Sequence, residues 1–448
     1  FPNAGTGFGT FESIYPKYQT SPVKGIVDHA HNDYLELFTD GGMISALLVA
    51  WFLLSLFVRS FKAFLTRRES FSIYLYLGSI TGIVSILFHS STDFNFHIGA
   101  NGLYFFFLAG LAVSSANTRL KERLKATRLK KMKRSLAVSI SISALIILVA
   151  GMDFNIGAIA GEYNFLPYKG RDLNAGISQK ELIAMNSAAY KGSGIDPLEP
   201  RYHFAAANTD YLLLKNETAL EQYKKAIRLN PSNGEYLQQL GFFWADQGNP
   251  QTADRLIQAG TQCEISNALR YQRYATWLLA RGKVEKGLKN MKTAISLDPD
   301  NINEYITLMV LNRLSEEQMR EALPKKVAPY LFFAEYLHSI GKEVMAEDIY
   351  AHALGLIENE AVIRPSYFYK PYRFYMKTGR YNDALKVIHK AIVFLPNDLG
   401  IRLTTADLYK KLGISYRAME EYQQALMIDP GNQRAKKELD RIRVKQES

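Results

Sequence analysis

The stretch GRYNDALKVIHKAIVFLP, residues 379–396, decides the fold of the C-terminal half, because its markers recur in GISYRAMEEYQQALMIDP, residues 413–430. Each stretch begins with Gly, ends with Pro 17 residues later and has Ala five residues before that Pro. Gly is typical of the turn between two antiparallel helices, and Pro cannot continue a helix. Each copy therefore predicts a turn, the second helix of a hairpin, and the connection to the next hairpin.

The same markers extend towards the N-terminus with a period of 34 residues. Gly282 again precedes a Pro, Pro299, by 17 residues. Such a period predicts about six or seven helical hairpins within residues 201–446. Pro299 and Pro396 are 97 residues apart, five fewer than three full periods. We therefore expect a shortened unit near residues 301–326.

A 34-residue period with these markers resembles the tetratricopeptide repeat family. The resemblance implies an α-solenoid whose concave surface binds a protein partner. A passive spacer or an assembly surface is the alternative. The Tyr and Phe residues of the segment 367–375 are expected to form the core between repeats rather than a platform for sugar rings.

The N-terminal part has a different composition, with four long apolar segments at residues 42–58, 71–88, 99–115 and 136–159. Each approaches the ~20 residues that a helix needs to cross ~30 Å of hydrocarbon. The predicted fold class is therefore all-α, with transmembrane helices followed by the α-solenoid. Because the chain begins at Phe1 with a loop-like segment, we interpret it as part of a longer protein.

The charged residues predict the orientation of these helices. Cations lie between the first two apolar segments, and nine Lys and Arg accompany one Glu in residues 119–134, whereas residues 90–98 contain none. Cationic connections stay in the cytoplasm, so a bacterial inner-membrane protein with its repeats in the periplasm is expected. The cationic run, and the net charge of +11, then indicate contact with anionic membrane lipids and not with nucleic acid.

This pattern predicts four regions: a periplasmic loop with an amphipathic helix at 1–41, four transmembrane helices at 42–160, a linker at 161–200, and the repeats at 201–446. The chain has one cysteine, which excludes a disulfide framework within it. It also has no Walker A or HExxH sequence, which argues against those nucleotide-binding and metalloprotease classes.

The segment DHAHNDYLEL, residues 28–37, contains the candidate chemistry. A helix capped by Asp28 would place its polar residues in one stripe: His29, Asp33, Glu36 and Asp40. His31 would lie on the opposite side, towards the apolar membrane-proximal interior. A desolvated His31 favours the neutral form and can act as a general base; the alternative is a histidine that only holds the loop. A metal site is not predicted, because the helix separates His29 from His31 and no third ligand is evident.

The segments GTGFGTF (5–11), HAHNDYL (29–35) and DFNFHI (93–98) together resemble the large periplasmic loop and the last membrane connection of the O-antigen ligase/polymerase family. That family has a His followed by Asn, Ser or Gln, and a Gly ten positions after the polar residue. His31, Asn32 and Gly42 match this motif, while Ser45 departs from the usual Gly, Thr or Val. The resemblance covers residues 1–115.

The resemblance implies a glycosyltransferase that needs no metal or cofactor. Its donor would be an undecaprenyl-diphosphate-linked glycan and its acceptor lipid A-core or another glycan. His31 would be catalytic, and the expected substrate-binding residues are Asn32, Gly7, Gly9, His29 and Asp33. Asp93 and His97 are expected to make loop and interface contacts instead.

The family's pyrophosphate-binding arginines lie upstream of this sequence, so we expect the chain to be inactive by itself. Two alternatives remain from the sequence. One is a protein O-oligosaccharyltransferase, which differs in its acceptor. The other is a non-enzymatic, membrane-anchored scaffold for envelope polysaccharide assembly.

Overall fold

A computed structural model describes residues 2–22, 27–117, 134–170 and 176–447. Within these ranges all regular elements are helices, as the apolar segments and the repeat pattern predict. The chain divides into two compact units, unit 1 at Phe1–Ser266 and unit 2 at Asn267–Ser448. Most of the cationic connection between the third and fourth apolar segments, residues 118–133, lies outside the described ranges.

In the described N-terminal part of unit 1 the helices are α1 (Phe11–Tyr18), α2 (Asp33–Phe64), α3 (Ser70–His89), α4 (Gly99–Asn117) and α5 (Arg134–Phe165). Among the described residues, three helical segments are long and apolar enough to be candidates for crossing a membrane: Asp33–Phe64, Ser70–His89 and Gly99–Ala116. The fourth predicted span, 136–159, falls within α5.

The helices α2, α3 and α4 share one apolar core. Tyr76 and Ile83 of α3 are buried against Ala112 and Ala116 of α4. Small residues at such a contact let two helix backbones approach closely. The Arg67 side chain, at the end of α2, donates from Nε to the Ala116 carbonyl oxygen at 2.6 Å, which ties the two helix ends together.

The rest of unit 1 contains five more helices: α6 (Gln179–Ile195), α7 (Pro200–Leu212), α8 (Asn216–Leu229), α9 (Gly234–Asp246) and α10 (Pro250–Cys263). Helix α6 lies in the region predicted as a linker, residues 161–200. Its first turn has a capping box, in which Ser178 and Glu181 each bond to the other's backbone, and it packs on α7. The predicted linker therefore contains an ordered element of unit 1.

Unit 2 contains the helices α11 (Ala268–Leu279), α12 (Val284–Leu297), α13 (Ile302–Leu311), α14 (Glu316–Glu321), α15 (Val327–Ser339), α16 (Glu343–Gly355), α17 (Ser366–Lys377), α18 (Tyr381–Phe394), α19 (Leu399–Lys411), α20 (Ser415–Ile428) and α21 (Gln433–Glu447). The sequence predicted a shortened hairpin near residues 301–326. This segment contains α13 and α14, and α14 has only six residues.

The sequence markers of unit 2 occupy the positions that hairpin packing requires. Gly379 and Gly413, in two of the predicted turns, have φ of +74° and +75°, a left-handed conformation that glycine adopts at little cost. Ala391 and Ala425 are completely buried, in the second helices α18 and α20. The aromatic segment 367–375 is largely core, as predicted, with these residues buried: Tyr367, Phe368, Phe374 and Tyr375.

Candidate functional site

The N-terminal segment packs into a break in α2. At Gly42 the backbone leaves the helical conformation, with φ of +65° and ψ of −170°. This break frees backbone groups that the helix would otherwise pair, and buried groups of this kind need partners. The Met43 amide donates to the Pro2 carbonyl oxygen at 3.0 Å, and the Ile44 amide to that of Asn3 at 3.1 Å. The chain's first residues thus cap the second part of α2.

The N-terminal segment also donates hydrogen bonds to carbonyl oxygens of α2 on the other side of the break. The Thr6 amide donates to the Thr39 carbonyl oxygen at 3.0 Å, and the Gly7 amide donates to that of Asp40 at 2.9 Å. The Gly9 amide donates to the Asp40 carboxylate at 2.6 Å. Gly7 and Gly9, predicted to contact substrate, therefore bind the backbone and side chain of α2 in the structure.

Close approach of the two backbones requires glycine at position 5 of this segment and at position 42 in the break. A Cβ added to Gly5 would lie 2.1 Å from the Asp40 carbonyl oxygen, and one added to Gly42 would lie 2.4 Å from the Asn3 carbonyl oxygen. Neither distance leaves room for a side chain. The glycines thus serve the packing of residues 2–9 against α2.

Helix α2 begins at Asp33 and its N-cap is Asn32, whereas the sequence analysis placed the cap at Asp28. The Asn32 Oδ1 atom accepts from the amides of Tyr34 and Leu35, both at 3.0 Å. Its Nδ2 atom donates to the Ser91 carbonyl oxygen at 2.8 Å. This second bond connects the start of α2 to the loop after α3, and the segment preceding Asn32 is therefore not helical.

This helix start changes the position of His31. The residue lies before the helix with φ of +47°, and its side chain is 65% exposed with Nδ1 3.6 Å from Asp93 Oδ1. The prediction that His31 faces the apolar interior is wrong, because a helical periodicity does not apply there. His89 approaches the same carboxylate, with Nε2 3.7 Å from Asp93 Oδ2, so Asp93 lies between two histidines.

The predicted acidic stripe is present on α2 and is buried. Asp33, Glu36 and Asp40 are each less than a tenth exposed to solvent, at 7%, 2% and 3%. Backbone amides compensate part of their desolvation: Phe96 donates to Asp33 at 3.1 Å and Ala30 donates to Glu36 at 3.0 Å.

Two histidines complete this cluster. His29 Nδ1 lies 2.9 Å from Glu36 Oε1, as expected for a residue predicted to face carboxylates. His97 reaches the cluster from the turn before α4, with Nδ1 3.2 Å from Asp33 Oδ1 and Nε2 3.1 Å from Glu36 Oε1. The two imidazole rings are 4.7 Å apart. His97, expected to make only interface contacts, is thus a central member of the site.

Phe94 separates this cluster from His31. Its ring stacks on His29 at a centroid distance of 4.5 Å and meets His31 edge-on at 5.0 Å. The structure therefore brings His29, Asp33, Glu36 and His97 into one group, in which the two carboxylates are buried and the two imidazoles are partly exposed. It leaves His31 and Asp93 as a separate exposed pair.

A cavity of about 430 Å³ adjoins the buried carboxylates of this group. Asp33, Glu36, Asp40 and His97 line one side, and an apolar wall of α2 and α4 lines the other. The Asp40 Oδ1 atom is buried and has no hydrogen-bond partner in the described part of the chain. The arrangement suits a ligand with a polar end at the carboxylates and an apolar body along the helices.

The comparisons with known proteins concern the repeats. Residues 402–432, which cover most of α19 and all of α20, match the family model of the tetratricopeptide repeat. This segment is a tetratricopeptide repeat. The other hairpins, several of which share its turn glycine and buried alanine, are called tetratricopeptide-type repeats below. No curated protein matches the chain.

Several solved structures are similar to the chain at low identity. One is the APC/C hetero-tetramer Cut9-Hcn1, at 13% identity over 75% of this chain and 62% of that chain, with a TM-score of 0.25. The chain thus spans less than two thirds of the Cut9-Hcn1 chain it matches. A second is pilF of Pseudomonas aeruginosa, at 16% identity over 53% and 95% of the two chains, with a TM-score of 0.22. A third is a thermophilic tetratricopeptide-repeat protein of Thermus thermophilus, at 17% identity over 47% and 99%, with a TM-score of 0.23.

Proposed function

We propose that this chain is a membrane-anchored scaffold that holds a protein partner on its tetratricopeptide-type repeats. The observation that carries the proposal is the apolar exterior of α2 to α4. Leu47, Trp51 and Phe88 are 64%, 65% and 80% exposed. Bilayer hydrocarbon removes such side chains from water, and an apolar surface of this extent is otherwise a liability for a soluble protein.

The repeats of unit 2 bury their alanine markers. On α15 and α17 they present aromatic and basic side chains to the surface. The Lys370 ammonium lies 3.8 Å from the centroid of the Phe332 ring and pairs with Glu335. Arg373 is exposed and donates from Nε to the Tyr369 carbonyl oxygen at 3.3 Å. We call Phe332, Tyr369, Lys370 and Arg373 the aromatic–basic patch. Aromatic and arginine side chains are enriched at protein interfaces, so this patch suits a protein segment.

Site-specific photo-crosslinking in native membranes tests the scaffold proposal. A photoreactive residue replaces Arg373 in the patch or, as the control, Val393 on α18, which is 76% exposed. We expect a discrete protein adduct from position 373 only, and a lower yield after Phe332→Ala. Equal adducts from both positions, or a yield that does not depend on Phe332, would contradict binding at the patch.

A second candidate function is glycosyl transfer, with His31 as the base that activates a sugar hydroxyl of lipid A-core or another glycan. The observation in its favour is that the loop before α2 and the loop after α3 meet, so that Asp93 lies 3.6 Å from His31. A carboxylate at this distance can orient an imidazole. In this proposal the donor is an undecaprenyl-diphosphate-linked glycan, and the site faces the periplasm of a bacterial inner membrane. A protein side chain is the alternative acceptor.

The test of glycosyl transfer uses the parent protein, since the chain alone is expected to be inactive. His31→Ala is compared with His89→Ala, which removes the other histidine near Asp93. We expect loss of mature envelope glycan for His31→Ala and its retention for His89→Ala. If both variants support normal glycan, the scaffold proposal is favoured and His31 is not the base.

A further inference from the structure

We propose that His29, Glu36 and His97 form a binding site for a divalent transition-metal ion such as Zn²⁺. One potential ligand atom from each residue lies within 4.8 Å of the other two. Glu36 Oε1 lies 2.9 Å from His29 Nδ1 and 3.1 Å from His97 Nε2. Tetrahedral Zn²⁺ with bonds of about 2.0–2.2 Å holds its ligand atoms about 3.3 Å apart. Small shifts of these side chains therefore accommodate the ion.

The contacts of the two ring nitrogens of His97 support this site. Its Nδ1 atom lies 3.2 Å from Asp33 Oδ1, so a neutral ring that donates from Nδ1 has a lone pair on Nε2. That lone pair faces the Glu36 carboxylate at 3.1 Å. Two lone pairs repel at this distance, unless a second proton or a metal ion lies between them. A carboxylate that fixes the tautomer of a metal-binding histidine is a common arrangement.

The environment of Glu36 also requires positive charge. Its side chain is 2% exposed, and a buried carboxylate is costly unless it is paired or coordinates a metal. Its ion-pair partners in the described ranges are the two histidines, His29 and His97. A neutral histidine supplies no net charge, whereas a divalent ion compensates Glu36 and leaves both imidazoles neutral.

Three protein ligands leave one position of a tetrahedral ion free. Glu36 and His97 line the cavity beside α2 and α4, so the fourth ligand would enter from there. Water or an anionic oxygen of a bound molecule has the chemistry for this position. The ion would also connect the loop before α2 to the turn before α4, which are distant in sequence.

The sequence did not predict this site, because His29 and His31 would point apart on a helix and no third ligand lies near them in the sequence. The third ligand comes from His97, and only the packing of the turn before α4 against α2 brings it within reach. The proposal is independent of the scaffold and of the glycosyl-transfer candidate, since it rests on side-chain geometry and is tested by metal binding alone.

The test measures metal uptake by the full chain in detergent, purified without a histidine tag. We expect one Zn²⁺ per chain, and a Co²⁺ derivative with the visible absorption of a tetrahedral site. His97→Gln and His29→Gln should abolish stoichiometric uptake. His31→Gln and His89→Gln, which change nearby histidines outside the cluster, should retain it. Asp33→Asn should weaken the affinity by roughly 10–100-fold, as expected for a residue that positions a ligand.

Thermal unfolding of each variant separates loss of the site from loss of the fold. Zn²⁺ should raise the unfolding midpoint of the unmodified chain and leave that of folded His97→Gln unchanged, since a ligand stabilises only the state that binds it. Absence of stoichiometric uptake by the unmodified chain would overturn the proposal, as would equal uptake by His97→Gln and the unmodified chain.

Discussion

At the residue scale, Gly42 and Gly9 share a left-handed backbone but differ in the space around them. Gly42 has φ of +65°, and an added Cβ would lie 2.4 Å from two backbone atoms of the N-terminal segment. Gly9 has φ of +73° and no atom within 4 Å of such a Cβ. The pair therefore separates the cost of the conformation from the cost of steric overlap.

We expect Gly42→Ala to lower the midpoint of thermal unfolding much more than Gly9→Ala. A backbone conformation of positive φ costs about 1–3 kcal/mol for a residue with a Cβ, whereas overlap at position 42 must also displace residues 2–9 from α2. The measurement is thermal unfolding of both variants in the same detergent. Equal losses would mean that residues 2–9 do not occupy the break in α2.

His389 predicts a pH dependence for unit 2. Burial lowers the pKa of His389 below the ordinary value of 6.5, and its Nε2 atom lies 2.7 Å from the Tyr409 hydroxyl. The unfolded chain then binds a proton more readily than the folded one. Stability is therefore unaffected by this group above pH 6.5 and falls as the pH decreases from there towards the folded pKa.

We expect His389→Gln to reduce the loss of stability between about pH 7.5 and pH 5.5. Glutamine keeps a polar partner for Tyr409 and does not titrate, so the difference between the two profiles isolates the histidine. The measurement is the unfolding midpoint of the full chain across this range. Parallel profiles for the two proteins would show that His389 does not contribute.

The residues of the candidate site show what sequence can predict at this scale. Helical periodicity predicted that Asp33, Glu36 and Asp40 share one face, and the structure confirms it. It failed for His31, because Asp28 and Asn32 are both suitable caps. The choice between them depends on the bond from Asn32 to the Ser91 carbonyl oxygen, a tertiary contact that no local pattern contains.

At the element scale, the hairpin of α9 and α10 depends on two glycines. A Cβ on Gly234 would lie 2.3 Å from the Gly260 carbonyl oxygen, and one on Gly260 would lie 2.4 Å from the Gly234 carbonyl oxygen. The two helix backbones are thus in direct contact at this point. By contrast, a Cβ on Gly194 in α6 would meet nothing within 4 Å.

We expect Gly260→Ala to destabilise unit 1, because the added methyl group must separate α9 from α10. Gly194→Ala is the matched control, and it should be neutral or stabilising by about 0.5–1 kcal/mol, since alanine is the better helix former. Thermal unfolding and limited proteolysis between α9 and α10 measure the effect. A Gly260→Ala protein as stable as the control would exclude close packing at this contact.

The elements of the repeats were more predictable than those of the site. The turn glycines, the buried alanines and the shortened hairpin follow from spacing along the chain. The reason is that each helix packs mainly on the other helix of its own hairpin. The sequence did not predict the contact of Gly234 with Gly260. It also did not predict that α6 forms a helix within the expected linker. Both features depend on which helix faces which, and the period does not contain that information.

At the scale of the whole molecule, the apolar helices and the repeats place different demands on the surroundings. In the scaffold proposal, the exterior of α2 to α4 lies in bilayer hydrocarbon, whereas the aromatic–basic patch of unit 2 lies in an aqueous compartment that contains its partner. The orientation of the membrane helices therefore decides which partners the repeats can meet. The sequence predicts this orientation from charge alone, with Arg67 and Arg68 following α2 and no cation in residues 90–98.

Accessibility labelling tests this orientation. Cys263, the single native cysteine, is first replaced by Ser; burial already raises the pKa of its thiol and slows its reaction. Single cysteines then replace Thr66 after α2, Ser91 after α3, or Val344 on α16, all exposed positions. A membrane-impermeant maleimide added to intact spheroplasts should label positions 91 and 344 and leave position 66 unlabelled.

Detergent-permeabilised membranes are the control, in which all three cysteines must react. Positions 66 and 91 lie at the two ends of α3, which is a candidate span. If the reagent labels both positions, or neither, in intact spheroplasts, α3 does not cross the membrane. Labelling of 344 together with 66, and not with 91, would place the repeats in the cytoplasm. The glycosyl-transfer candidate would then lose its periplasmic setting, while a scaffold would remain but with cytoplasmic partners.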